Sequence, residues 1–296
     1  MKINGNMLIL AREFRDITQK EVAEQAQVAQ STIAKIEGGL RSDVSDDLGS
    51  KLASILKFPE EFLAQEEDLL SYGSSAYFYR KRATMPAIER RRIHSVVNLL
   101  RIAVRKCITL VDIQPRRPLP QFDIEEYGHS AAKVAKALRG TWAQPDGPIR
   151  DLTELIESAG VLVIPCDFGT RLMDATSLRL SDMPPMIFAN KTLPGDRWRY
   201  TLAHELGHLV MHIIPHEMME EEADEFAAEF LTPAEEIKPQ LMQVQIWRIR
   251  EMAKLNLFWR VSFRMLVYRA RKLNVISQEA ARRAYIALDP DRLVET

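Results

Sequence analysis

The sequence predicts a mainly α-helical chain that holds one small α+β portion, and three observations predict it. Apolar residues recur at helical spacing through the first 65 residues and again after residue 241. Short apolar runs bounded by turn residues, VLVIP, SLRLSD and MIFAN, crowd into the stretch 161–190. Helix-breaking punctuation separates the regions, most clearly the three prolines of QPRRPLPQF at 114–122. These marks divide the 296 residues into an all-α bundle (1–65), a helical linker (66–121), an α+β domain (122–240) and a C-terminal helical segment (241–296).

Composition narrows the class. At 46% apolar and 27% charged, with no run of about 18 apolar residues, the chain reads as a soluble globular protein with no membrane partner. The short apolar run at the N-terminus ends in charges, so no signal peptide is expected. Two cysteines, Cys107 and Cys166, exclude a disulfide scaffold and suit buried thiols in a cytoplasmic protein. Charge is blocked: eleven Lys/Arg in 79–117, nine acids without a base in 217–236, and ten bases in 248–283. Such blocks read first as solvated helix faces, although basic ones beside a DNA-reading module would also hold phosphates.

In the bundle, Val22 and Ala26, then Ile33 and Ile36, then Leu48, Leu52, Ile55 and Leu56 mark successive helices, with Gly38-Gly39 and Phe58-Pro59 as breaks. A helix is expected over 86–109. The α+β portion should run helix 124–138, helix 149–159 ending at Gly160, strand VLVIP, and two strands around a Met183-Pro184-Pro185 turn. Helices over 196–212 and 217–231 follow.

The first chemistry lies at 204–208, HELGH. Placed on a helix at about 100° per residue, His208 falls about 40° from His204, while Leu202, Leu206, Leu209 and Ile213 form an apolar stripe opposite. The helix then has a packed back and a front that presents two imidazoles one turn apart, as zinc requires. Glu205, beside the pair, can reach a water without ligating the metal, which suits a catalytic base. Gly207 fits a place where another segment packs close. A third ligand is sought among the acids that follow. On the helix 217–231, Ala223, Phe226, Ala227, Phe230 and Leu231 define the core face, and Glu220 falls within it. Glu221, Glu222, Glu225 and Glu229 are expected on a solvated face. Asp224 is placed to accept a hydrogen bond from a ligating histidine. His212 lies beyond the metal-facing arc as a competing ligand or a supporting polar residue, His216 is a further competitor, and Tyr200 is a candidate to stabilise an oxyanion. The strand at 186–190 is expected as an exposed edge to which a substrate strand could pair.

The second motif is TQKEVAEQAQVAQSTIAKIEGG at 18–39, with helix-turn-helix spacing. Thr18 and Glu21 form a capping box, Val22, Ala23 and Ala26 face inward, Val28 fills the turn, and Ile33 and Ile36 anchor the second helix. Gln30, Ser31 and Thr32 open that helix with short polar groups able to reach base edges, and Lys35 could reach a phosphate. Residues 1–65 hold eight bases and ten acids.

RWRYTLAHELGHLVMH followed by EEEADEFAAEFLTP resembles the ImmA/IrrE family of zincin-type metallopeptidases over about residues 122–240. The resemblance implies one zinc ion per chain held by His204, His208 and Glu220, Glu205 as general base, and cleavage of a partner repressor. DATS at 174–177 departs from the family pattern, which carries glycine after the aspartate. Residues 5–63 resemble the lambda-repressor-like (XRE) helix-turn-helix family, which implies base contacts from Gln30 and Ser31 and a phosphate contact from Gln19; Gln27 stands where that family often carries glycine. Together these imply a mainly α chain with a small zincin-like α+β domain that acts as a DNA-binding regulator and zinc endopeptidase, cleaving a repressor or antitoxin-like protein. The chain would bind its operator as a homodimer. The alternative is a transcription factor whose zincin domain senses rather than cuts.

Overall fold

The computed structural model describes residues 1–70, 77–78, 85–111, 113–245 and 248–287. The polar stretch at 71–76 and the basic residues at 80–82 lie outside these. The chain forms two compact units.

The first unit comprises Met1–Ser74, Lys81–Ile113 and Asp167–Met173. It contains α1 (Gly5–Phe14), α2 (Gln19–Ala26), α3 (Gln30–Glu37), α4 (Asp46–Leu56), α5 (Glu60–Leu63) and the long α6 (Ala87–Ile108). The apolar positions read from the sequence converge: Val22, Ala23, Ala26, Ile33, Ile36, Leu48, Leu52 and Leu56 share one buried core. Thr18 caps α2 through the full capping box with Glu21. At the other end Gln27 adopts the left-handed conformation (φ 57°), the Gln27 N–H bonds Glu24 and the Val28 N–H bonds Ala23, which is a Schellman closure without its usual glycine. Arg12 grips Glu37 with two hydrogen bonds of 2.6 and 3.0 Å and so ties α1 to the end of α3. Within the stretch 66–121, read from the sequence as a helical linker, α6 lays Ile102 against Met7 and Leu10 of α1.

The second unit comprises Ser75–Arg80, Gln114–Cys166 and Asp174–Thr296. Its elements are β1 (Tyr77–Phe78), α7 (Ala131–Thr141), α8 (Leu152–Ser158), β2 (Leu162–Cys166), β3 (Ala175–Leu180), β4 (Met183–Asn190), α9 (Gly195–Met211), α10 (Met219–Leu231), α11 (Ala234–Gln243), α12 (Ile249–Trp259), α13 (Phe263–Lys272) and α14 (Gln278–Ala287). The sheet order is β1-β3-β4-β2, with β2 parallel to β4 and the other pairs antiparallel.

Several sequence expectations are corrected here. The helix expected over 124–138 is a short 3-10 turn, Ile124–Tyr127, followed by α7; Gly128 at φ 64° ends the first and the Ser130 side chain caps the second. The Met183-Pro184-Pro185 segment belongs to β4, and the chain turns at Ser181 and Asp182. Both prolines precede Met186, where the β2 ladder begins, and they lie at a register shift opposite β3, where their missing N–H groups interrupt no regular pairing. The stretch 186–190 is not an edge: β4 is flanked by β2 and β3, and its residues are almost entirely buried. Helices α12 to α14 share the core of the α+β portion. Met252, Trp259, Leu266, Ala270 and Ala284 share one apolar core with Leu206, Leu209 and Phe230. Cys166 is buried, as expected, and Cys107 is exposed. No helix among the described residues is long and apolar enough to cross a membrane.

Candidate metal centre

Helix α9 carries the HELGH segment with the polarity that its periodicity demands. Leu202, Leu206 and Leu209 are fully buried on one side, and the imidazoles leave the other, whereas Ile213, expected in the same stripe, lies past the end of the helix and is exposed. Helix α10 crosses close to it. A Cβ added at Gly207 would meet the Phe226 ring at 3.0 and 3.2 Å and the Ala223 backbone at 3.4 Å, which is the close approach the glycine implied. That approach brings Glu220, in the first turn of α10, to the histidines.

His204 Nε2 and His208 Nε2 stand 3.1 Å apart. Glu220 offers one carboxylate oxygen to each at 3.6 Å. Ligands about 2.1 Å from a tetrahedral zinc lie roughly 3.4 Å from one another, so this triangle has the size of three corners of a zinc site. The donor chemistry agrees, because the far nitrogens are engaged elsewhere. His204 Nδ1 lies 2.9 Å from Asp224 Oδ1, which also accepts from the Tyr200 hydroxyl at 2.9 Å. His208 Nδ1 lies 2.9 Å from His212 Nδ1, and His212 Nε2 lies 2.9 Å from Glu222 Oε2. The hydroxyl of Tyr200, the expected oxyanion candidate, is the group that donates to Asp224.

Glu205 is 4% exposed and accepts a 2.7 Å hydrogen bond from the Ser177 hydroxyl on β3. Burial pushes its carboxyl up to about 7, against the opposing influence of His204 and of Ser177. Burial disfavours charge on His204, but hydrogen bonds to Asp224 and Glu220 and the field of Glu205 outweigh it and raise the imidazole to about 10. His208 is driven well below its ordinary value, first by burial and then by the neighbouring histidines. Two imidazoles and a carboxylate thus converge beside a buried, hydrogen-bonded carboxylate, which is a set of groups suited to holding a cation and moving a proton.

The sequence alone did not single out Ser177. It sits in the DATS segment, and only the pairing of β3 with β4 turns it toward α9. The expectation of a solvated acidic face on α10 also fails for three of four residues. Glu221 is exposed, whereas Glu222 meets His212, Glu225 accepts from Ser130 and the Ala132 N–H, and Glu229 is buried against Arg269 of α13. The partners come from distant segments that α10's own periodicity does not reveal. A second group, His212, His216 and Glu222, also places its ligand atoms within 4.8 Å of one another.

In the first unit, Gln30, Ser31 and Lys35 are exposed together on α3, and Thr32 is partly covered. The Gln19 side-chain amide donates to Glu37 at 2.8 Å, joining the Arg12 contact.

Two family comparisons bear on these sites. Residues 156–271 match the family described as the IrrE N-terminal-like domain, and residues 8–63 match a helix-turn-helix family. The first match spans β2 to α13, and so includes the candidate metal centre and part of the C-terminal helices. Comparison with curated proteins finds no match.

Proposed function

We propose that this chain, in which a helix-turn-helix domain is joined to an IrrE/ImmA-like peptidase domain, is a DNA-binding regulator that cuts a specific protein at a site holding one zinc ion. The observation that carries the reading is the convergence of His204, His208 and Glu220 beside a buried, hydrogen-bonded Glu205. Zinc bound there would supply an electrophile that polarises the scissile carbonyl and acidifies water. Glu205 takes the proton of the attacking water and passes it to the leaving amine, and its buried setting keeps it a competent base near neutral pH. Ser177 holds the Glu205 carboxylate in place from β3, and Asp224, itself held by Tyr200, fixes the ring of His204.

The substrate in this reading is a repressor or antitoxin-like protein. The helix-turn-helix domain brings the peptidase to an operator, where Gln30, Ser31 and Thr32 meet base edges, and Lys35 and the Gln19 end of α2 meet phosphates. Operator half-sites one helical turn apart suit a homodimer acting in the cytoplasm. The test is co-expression with repressors encoded nearby. Wild type should cleave its target, and Glu205→Gln should abolish cleavage while still binding zinc. A protein that binds no zinc, or a Glu205→Gln variant that cleaves as wild type does, defeats the peptidase reading and leaves that of a sensor. DNA binding should weaken steeply as salt rises; failure to bind operator DNA even at low salt defeats the regulator half.

A further inference from the structure

We propose that His212 and Glu222 form a relay that holds His208 in the one tautomer able to ligate a metal through Nε2, and that the same relay makes the neighbouring His212–His216–Glu222 group unable to take a second ion while the first is bound. This rests on the metal-site reading above and goes beyond it, because it assigns a positioning role to two residues and chooses between two clusters.

The Nδ1 atoms of His208 and His212 are 2.9 Å apart. At that distance one ring must present an N–H and the other a lone pair. If His212 donated, its neutral ring would turn the Nε2 lone pair toward Glu222 Oε2 at 2.9 Å, two acceptors face to face. The neutral His208 would then carry its proton on Nε2, against His204 and Glu220, and could not ligate there. If His208 donates, both contacts of the relay are matched and the Nε2 lone pair is left for a metal. The His208 Nδ1–H meets the His212 lone pair, the His212 Nε2–H meets the Glu222 carboxylate, and the His208 Nε2 lone pair faces His204 Nε2 and Glu220. The carboxylate of Glu222 therefore sets the direction of the whole chain.

The sequence supplies the spacing. His208 and His212 are four residues apart, and His212 stands at the C-cap of α9, 2% exposed, where the next helix delivers Glu222 from its first turn. A consequence follows for the second cluster. The His212 atom facing Glu222 is Nε2, and it carries the relay's proton. A metal ion taking that nitrogen would break its hydrogen bond to Glu222, reverse the one between His212 and His208 and put a proton on His208 Nε2, which dismantles the first site. The two clusters are alternatives that share one proton path.

Histidine-labelled NMR of the full chain, stripped of metal and then titrated with zinc, tests this. The expected result is His208 protonated on Nδ1 in both forms, one tight zinc per chain, and Nε2 of His204 and His208 as the nitrogens that change. His212→Leu, which has no acceptor, should weaken zinc binding about 10–100-fold without changing the far-UV spectrum. His212→Asn, whose side-chain oxygen can stand where Nδ1 stood, should restore most of that affinity, and His216→Ala should leave it unchanged. Two tight ions per chain, His208 protonated on Nε2, or His212→Leu binding zinc like wild type would each overturn the relay. If His212→Leu fails to fold, the tautomer in the wild-type protein still decides. If the wild-type chain takes up no zinc, the peptidase reading fails, while the stripped protein's spectrum still reports on the relay.

Discussion

Glu205 and Ser177 show how one neutral hydroxyl tunes a buried base. The Ser177 hydroxyl donates to the carboxylate and so favours its charged form, which lowers a value that burial alone would set higher. In Ser177→Ala that support is gone, the Glu205 pKa rises, and less of the base is ionised at any given pH. The acid limb of the cleavage rate should move to higher pH, with activity at pH 6 falling more than at pH 8 and zinc affinity preserved. A pH–rate profile of kcat/KM for wild type and variant checks this; an unmoved limb would mean that Ser177 only fills space.

At the scale of elements, two backbone positions carry opposite expectations. Gly207 lets α9 and α10 approach until the histidines and Glu220 share a site. Alanine there gains about 1 kcal/mol of helix propensity, but its Cβ must displace the Phe226 ring, which is buried and stacked on Phe230 at 5.4 Å. Overpacking of this kind costs about 1–3 kcal/mol, so Gly207→Ala should lower stability by roughly 1 kcal/mol and weaken zinc binding, read by urea unfolding and zinc titration. Gln27 is the converse. It holds a left-handed turn between α2 and α3 at a cost that glycine does not bear. Gln27→Gly should raise the stability of the first unit by about 0.5–1 kcal/mol, the left-handed cost less the added freedom of the unfolded chain. A lower melting temperature would contradict that backbone geometry.

At the scale of the molecule, the C-terminal helices complete the core of the second unit. Arg269 of α13 donates to Glu229 of α10 and, at 2.9 Å, to the Thr232 carbonyl, and both charged side chains are buried. Arg269→Met leaves Glu229 charged and buried, which should cost about 3–5 kcal/mol. Replacing both by methionine should recover most of that loss, since a buried pair is often matched by apolar groups of like volume. Urea midpoints of the two variants measure it; a single variant as stable as wild type would show that α13 is not needed to hold α10. Residues 1–65 carry more acids than bases and the basic α6 belongs to the same unit, so the salt dependence of DNA binding should reflect local basic groups such as Lys35 rather than a general positive field over 1–65.

The sequence by itself determined whatever is written in local periodicity. The capping box at Thr18, the packed back of α9, the inward place of Glu220 and the reach of Asp224 are properties of single helices, where about 100° per residue fixes direction. Tertiary structure decided what depends on partners distant in the chain. Strand order made β4 central, so the expected edge at 186–190 vanished, and strand pairing turned Ser177 toward Glu205. Contacts from α7 and α13 converted Glu225 and Glu229 from supposed surface acids into a half-buried and a buried one, and Glu222 found His212. The physical reason is common to all of them. A charge pattern along one helix states what that helix offers, and the neighbour across the core, set by long-range packing, decides whether the charge meets water, a histidine or an arginine.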